Sequence, residues 1–172
     1  MPFDRQPVLS GALVELRPLE VADFPALYEI ASDPLVWEQH PSKDRAQQSL
    51  FEHWFDQTLA SGSALAVVGQ FENRVIGTSR FDHYDPIQSE VEIGWTLIAR
   101  IHWGGEYNGE IKWLMFRHAS QFVQNVIFRV HSLNLRSQRA VEKLGAIRVG
   151  TESDAAGRAE NYVFRLEVSG YP

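Results

Sequence analysis

The sequence predicts an α+β fold, a mixed but mostly antiparallel sheet flanked by helices, and three observations lead there. The apolar period switches repeatedly between about 3.6 and 2 residues along the chain. Three strand-like stretches follow one another between residues 64 and 98 with only polar turns or short loops between them. After them comes a strand-helix-strand unit, and such a unit belongs to a sheet with helices on its faces.

Leu13 to Leu16 reads as a short strand ended by Pro18. Val21 to Ala31 is a helix by its stripe of Phe24, Leu27, Tyr28 and Ala31, and Ser32-Asp33-Pro34 breaks it. A second helix runs from about Lys43 to Ala60, with Leu50, Trp54, Phe55 and Leu59 marking its buried face. Ala64 to Phe71 and Val75 to Phe81 form a hairpin over the polar turn Glu72-Asn73-Arg74, and Glu90 to Ile98 is the third strand of this run. Gly104-Gly105 precedes a long helix, roughly Gly109 to Gln124, whose face carries Ile111, Leu114, Met115, His118 and Phe122. Val126 to His131 is an apolar, β-branched strand. A short helix from about Leu135 to Leu144 follows, stopped by Gly145, and two strands, Ala146 to Thr151 and Asn161 to Val168, close the chain.

The 172 residues suit one domain, residues 1–172, with no linker or repeat to divide it. A hydrophobic share of 44% and a charged share of 22% are those of an ordinary globular protein. No apolar run reaches the ~20 residues that cross a bilayer, and no signal-peptide pattern opens the chain, so a cytoplasmic location and no membrane partner are expected. A net charge of −6 argues against general nucleic-acid binding, which needs a surplus of cations. With no cysteine there is no disulfide, thiolate metal site or catalytic thiol, and the six histidines have no metal-ligand spacing, so no metal is expected.

Two stretches carry chemistry. In the first, the strand Glu90–Ile98 leads through Gly104-Gly105 into a helix. A helix N-terminus offers unsatisfied N–H groups and partial positive charge to an anion, and glycine lets the backbone come close. In the second, Asn134-Leu-Arg-Ser-Gln-Arg-Ala-Val-Glu-Lys-Leu-Gly145 places Asn134 at a helix N-cap with Ser137 one turn on.

Together the two resemble the GCN5-related N-acetyltransferases (GNAT), most closely the branch of ribosomal-protein N-terminal acetyltransferases. The resemblance spans nearly the whole chain. Its strongest pieces are Glu92-Ile-Gly-Trp95, Trp103-Gly-Gly-Glu-Tyr-Asn108, Asn134-Leu-Arg-Ser137 and Glu142-Lys-Leu-Gly145. It implies acetyl-CoA as cosubstrate. Gly104, Gly105, Tyr107 and Asn108 would hold the pyrophosphate, Leu97 and Ile98 would pair with the pantetheine arm like an added strand, and Asn134 would contact the pantetheine region. The basic run from Arg129 to Arg148, Lys143 within it, would lie near the adenosine 3′-phosphate. Trp37 and His40, with Glu38 and Trp54 nearby, fall in the acceptor region. A homodimer is common in that branch, and Trp113 and Phe116 lie off the main stripe of the long helix. The chain departs from the family at Glu106, a carboxylate in the pyrophosphate loop, and at Val141, where many members carry a proton-donating tyrosine. If Glu106 does not turn to solvent, nearby Arg100, His102 and Lys112 could offset its charge.

The implied reaction is acetylation of a primary amine, on a peptide or a small molecule. An alkyl amine with a pKa near ~10 attacks only when neutral, so a base is required. Glu92 is the first choice, with Glu152 and Glu160 in reserve. Strand alternation places Glu90, Glu92, Gly94 and Thr96 on one face, and two carboxylates about 7 Å apart would raise each other's pKa. Ser137 would donate a proton to the thiolate or hold the acetyl end. A CoA-binding module without catalysis, or a protein-interaction module of the same fold, are the alternatives.

Overall fold

The computed structural model describes residues 2–153 and 160–170. Eight strands form one sheet: β1 Leu9–Ser10, β2 Val14–Pro18, β3 Ala64–Gly69, β4 Arg74–Asp85, β5 Glu90–Ile98, β6 Asn125–His131, β7 Ile147–Ser153 and β8 Glu160–Glu167. Four helices accompany it: α1 Phe24–Ala31, α2 Gln48–Ala60, α3 Tyr107–Ala119 and α4 Leu135–Lys143. The strand order is β1-β2-β3-β4-β5-β6-β8-β7. Every neighbouring pair is antiparallel except β5 and β6, which α3 connects in parallel.

Strand alternation feeds two cores. In β3, Leu65 and Val67 join Ile111, Met115 and Phe116 of α3, whereas Ala64 and Ala66 face Leu27 of α1 with Phe51 and Phe55 of α2. The sheet is thus covered by α3 on one face and by α1 and α2 on the other. Glu110 fastens α3 to the sheet edge, because its carboxylate accepts the backbone N–H groups of Ala12, Leu13 and Val14 at 2.8, 2.7 and 2.8 Å.

The long helix begins at Tyr107 and ends at Ala119, earlier at both ends than the apolar stripe suggested; Phe122 packs on the core from beyond its end. Lys43–Ala46 is a separate 3-10 turn, since Gln47 takes an extended ψ of 132° before α2 starts. Trp54 and Phe55 of α2 are buried as expected and Leu59 partly so, but Phe51 is fully buried where Leu50 was expected, and Leu50 is 40% exposed. Phe116 is also fully buried, edge-on to Phe128 at 6.0 Å, and contributes nothing to a dimer face.

The alternation expected for β5 fails in its middle. Gly94 pairs with Arg80 and Leu97 with Thr78, so Trp95 and Thr96 together face the single residue Ser79. This is a β-bulge, and Trp95 takes the left-handed φ of 51°. A non-glycine residue there costs roughly 1–2 kcal/mol. The Arg80 guanidinium, 3.6 Å from the indole centroid, helps to hold it. The bulge reverses the faces beyond it. Val91, Ile93 and Ile98 point to the α3 core and Leu97 to the α1–α2 core, so Thr96 leaves the face of Glu92 and turns toward α3.

Candidate active site

β5 and β6 pair only through Glu90–Asn125, Val91–Val126 and Glu92–Ile127. Beyond Glu92 the two strands diverge, and a cleft of about 390 Å³ opens between them. Its walls come from the bulged half of β5, the inner half of β6, the turn before α3, the first turns of α4, and the Val36–Arg45 segment with Trp54.

The cleft gathers most of the residues singled out in the sequence. Leu97, Ile98, Gly104, Asn108, Asn134 and Ser137 line it, as do Trp37 and His40. Gly105, Tyr107 and Lys143 do not. Tyr107 instead packs its ring 4.2 Å from His102 and donates its hydroxyl to Glu72 at 3.3 Å. Gly104 has φ +72° and open space where a Cβ would stand, the form a glycine turn takes when something must approach its backbone. Asn134 caps α4 as expected, its Oδ1 accepting the Ser137 N–H at 3.1 Å. The Ser137 hydroxyl has no hydrogen-bond partner among the described residues. Val141 contributes an apolar patch of wall.

Glu106 is exposed and does not line the cleft. The three cations that could have offset it are engaged elsewhere: Arg100 pairs with Asp33, His102 stands 3.5 Å from Glu72, and Lys112 turns inward. The Lys112 ammonium donates to Thr96 Oγ1 at 2.5 Å and Ser79 Oγ at 3.1 Å, with no carboxylate partner among the described residues. Burial pushes its pKa down to about 7.

Glu92 is 3% exposed. Its Oε2 accepts from Arg129 Nη1 at 2.7 Å and meets His83 Nδ1 at 2.9 Å. Burial raises its pKa, and the charges and hydrogen bonds of Arg129 and His83 oppose that rise. The cause is therefore desolvation and not Glu90. Glu92 is not itself a lining residue, but Oε1 would lie 3.7 Å from a Cβ built on Gly94, and Gly94 does line the cleft. The missing side chain leaves a gap between Oε1 and the cavity. Glu152 is committed to Arg129 Nε at 2.7 Å, and Glu160 stands exposed on β8.

Sequence reasoning missed His83, Arg45 and Arg136 as site residues, and Arg129 as the partner of Glu92. Arg136 stacks 3.9 Å from the Trp103 ring centroid, and Arg45 stands 5.1 and 5.5 Å from those of Trp37 and Trp54. A hint of Arg129 lay in the parallel pairing, since a residue two beyond Ile127 on β6 comes alongside Glu92. His83 sits at φ 43° in a second irregularity of β4, and no pattern in the chain marks it.

A cleft between diverging parallel strands, entered beside a glycine turn at a helix N-terminus, accords with what the sequence comparison finds. Residues 14–147 match the family model of the acetyltransferase (GNAT) domain. The chain belongs to the GCN5-related N-acetyltransferases. It is thereby an acyl-CoA-dependent acyltransferase. Solved GNAT structures superpose along nearly its full length. A GCN5-related N-acetyltransferase from Brucella melitensis has a TM-score of 0.86 at 21% identity, over 99% of this chain and 83% of that one. A Vibrio cholerae chain assigned as a ribosomal-protein-serine acetyltransferase gives 0.71 at 14%, over 93% and 97%. Spermidine N-acetyltransferase from Vibrio cholerae, solved with CoA and spermine, gives 0.67 at 16%, over 94% and 99%. At these identities the likeness is one of fold. Among the described residues no helix is long and apolar enough to cross a membrane.

Proposed function

We propose that this protein is a cytoplasmic N-acetyltransferase that passes the acetyl group of acetyl-CoA to a primary amine, on a small molecule or a peptide N-terminus, with Glu92 as base. The single observation that supports it best is the bulged, unpaired half of β5, which faces β6 across the cleft and runs to the glycine turn at the start of α3.

The residues suit the cosubstrate. Gly104, Gly105, Tyr107 and Asn108, around the N-terminus of α3, would hold the pyrophosphate. The edge of β5 at Leu97 and Ile98 would receive the pantetheine as a strand. Asn134 would meet the pantetheine region, and Lys143 would stand near the 3′-phosphate. Acetyl-CoA supplies an activated acyl carbon and a thiol leaving group. Glu92 removes the proton that makes the amine nucleophilic, through a water held in the gap beside Gly94. Burial raises its pKa, which strengthens it as a base, and Arg129 and His83 oppose that rise. The unpartnered Ser137 hydroxyl is the group placed to return a proton to the departing thiol, directly or by water. Trp37 and His40 contribute the acceptor's wall. Burial foremost, then Arg45, depress the His40 imidazole to a pKa of about 4, so it meets the acceptor uncharged.

A second reading, CoA binding without turnover, draws on Val141, which puts an isopropyl group where many family members carry the acid. Calorimetric titration with acetyl-CoA and CoA tests the site, with Gly105→Trp as the blocked control. Micromolar binding lost in the control is expected, and no binding to the wild type ends the proposal. Glu92→Gln should lower turnover at least tenfold and leave the unfolding curve in place. Wild-type turnover in that variant would remove Glu92 from the chemistry, and binding without any amine-dependent thiol release would favour the second reading.

A further inference from the structure

The charges on the cleft wall select among amines. Arg45, Arg129, Arg136 and Lys112 line it, and no aspartate or glutamate does among the described residues. Arg129 is neutralised from behind by Glu92 and Glu152. Arg136 stacks on Trp103, the residue before Gly104, and so stands beside the turn proposed for the pyrophosphate. Arg45 belongs to a different wall. It rises from the Lys43–Ala46 turn, stands over both the Trp37 and the Trp54 rings, and makes one side-chain hydrogen bond among the described residues, to Ser42 Oγ at 3.3 Å. It has no carboxylate partner among the described residues. Most of its five donors are therefore uncommitted, on a guanidinium that two aromatic faces hold in place.

A guanidinium so fixed is built to receive planar or tetrahedral oxyanions. A polyamine would meet the reverse, with the Arg45 charge facing it and no lining carboxylate among the described residues to hold its further ammonium groups. The imidazole of His40 reports the same field: after burial, the next-largest influence against its protonation is Arg45, and Arg136 and His131 act in the same sense.

We propose that the acceptor is an amine that also carries an anionic oxygen group, a carboxylate or a phosphate, which Arg45 binds beside Trp37 and Trp54. This rests on the acetyltransferase reading above and names the substrate class of that site. The indole walls favour an acceptor with an apolar body between its amine and its anion.

The test uses pairs of amines in which one member carries the anion and the other lacks it, with thiol release followed at saturating acetyl-CoA. Leucine is set against leucinamide for the carboxylate, O-phosphoethanolamine against ethanolamine for the phosphate, and spermidine stands for the polycations. Leucinamide has the more acidic ammonium and hence more neutral amine at pH 8, so a preference for leucine must come from the site. The anionic member of at least one pair should show a kcat/KM at least tenfold above its neutral partner and above spermidine. The pair that responds tells carboxylate from phosphate. Arg45→Gln should collapse that ratio toward one by raising the acceptor KM, with the acetyl-CoA KM within twofold of wild type. The proposal is overturned if the neutral members or spermidine are preferred, if Arg45→Gln leaves the ratio intact, or if no anionic amine is acetylated or quenches tryptophan fluorescence. Failure to bind acetyl-CoA in the calorimetric titration would instead bring down the acetyltransferase reading itself. Acetyl-CoA bound with the wrong amine preference would bring down only this one.

Discussion

Replacing Lys112 by methionine removes a buried ammonium and keeps most of its length and apolar contact. Wild-type Lys112 is 4% exposed and its pKa falls from an ordinary 10.5 to about 7 through burial. Counting protons fixes the direction. Below pH 7 the lysine is charged in both the folded and unfolded chain, and the full penalty of burying the charge is present. Between 7 and 10.5 the unfolded chain holds a proton that the folded one lacks, so stability rises with pH across that window and levels off above it. The gap corresponds to roughly 5 kcal/mol over the whole window, and to roughly 2–3 kcal/mol between pH 7.5 and 9.5, where urea denaturation is practical. The other lysines and the tyrosines titrate in both proteins, so the quantity to follow is the difference in unfolding free energy between wild type and Lys112→Met. The variant should hold its largest advantage at pH 7 or below and lose it steadily toward pH 9.5. It leaves no orphan behind, because Ser79 and Thr96 already bond each other at 2.9 Å. A difference that stays constant within about 0.5 kcal/mol over that range would mean the ammonium is hydrated from the cleft it lines and titrates as an ordinary surface lysine.

Two further outcomes follow from the geometry. Arg129→Met removes the largest influence holding down the pKa of Glu92 while burial stays, so the acid limb of the kcat/KM profile should move to higher pH; a limb that stays put would mean Glu92 does not set it. Gly104→Ala meets open space but a φ of +72°, so it should cost roughly 1 kcal/mol in backbone strain and weaken CoA binding severalfold by calorimetry. Unchanged affinity there would show that the phosphates keep clear of this turn.

Much of the fold was legible because the apolar periods are strong and the punctuation is local: Pro18, Ser32-Asp33-Pro34, Gly104-Gly105, Asn134 and Gly145 all mark real boundaries or caps. The part of the cleft around Gly104 and Asn134 was legible for the same reason, since a glycine turn and an N-cap are written in consecutive residues. The rest depends on distant pairing. One extra residue in β5 moved Thr96 across the sheet, and strand alternation carries no notice of a bulge. Glu92 was singled out as a carboxylate on a strand, but its partners Arg129 and His83 reach it through two different strand pairings, 37 and 9 residues away. Arg45 fell inside the helix expected from about Lys43 to Ala60, and only the separate 3-10 turn brings it over two tryptophans.

The three residue pairs that join β5 to β6 also divide the sheet mechanically. Strands β1 to β5 form one leaf and β6, β8 and β7 another, hinged at Glu90–Glu92 and braced by α3. Inside the hinge two strand edges face each other without pairing, as on the rim of an open sheet. A rim on the outside of a protein invites another chain to add to it. Here the wedge narrows to a joint and admits only a ligand as thin as a single extended arm. Whatever occupies it bridges the two leaves, and binding should raise the unfolding temperature by the amount its concentration relative to Kd sets.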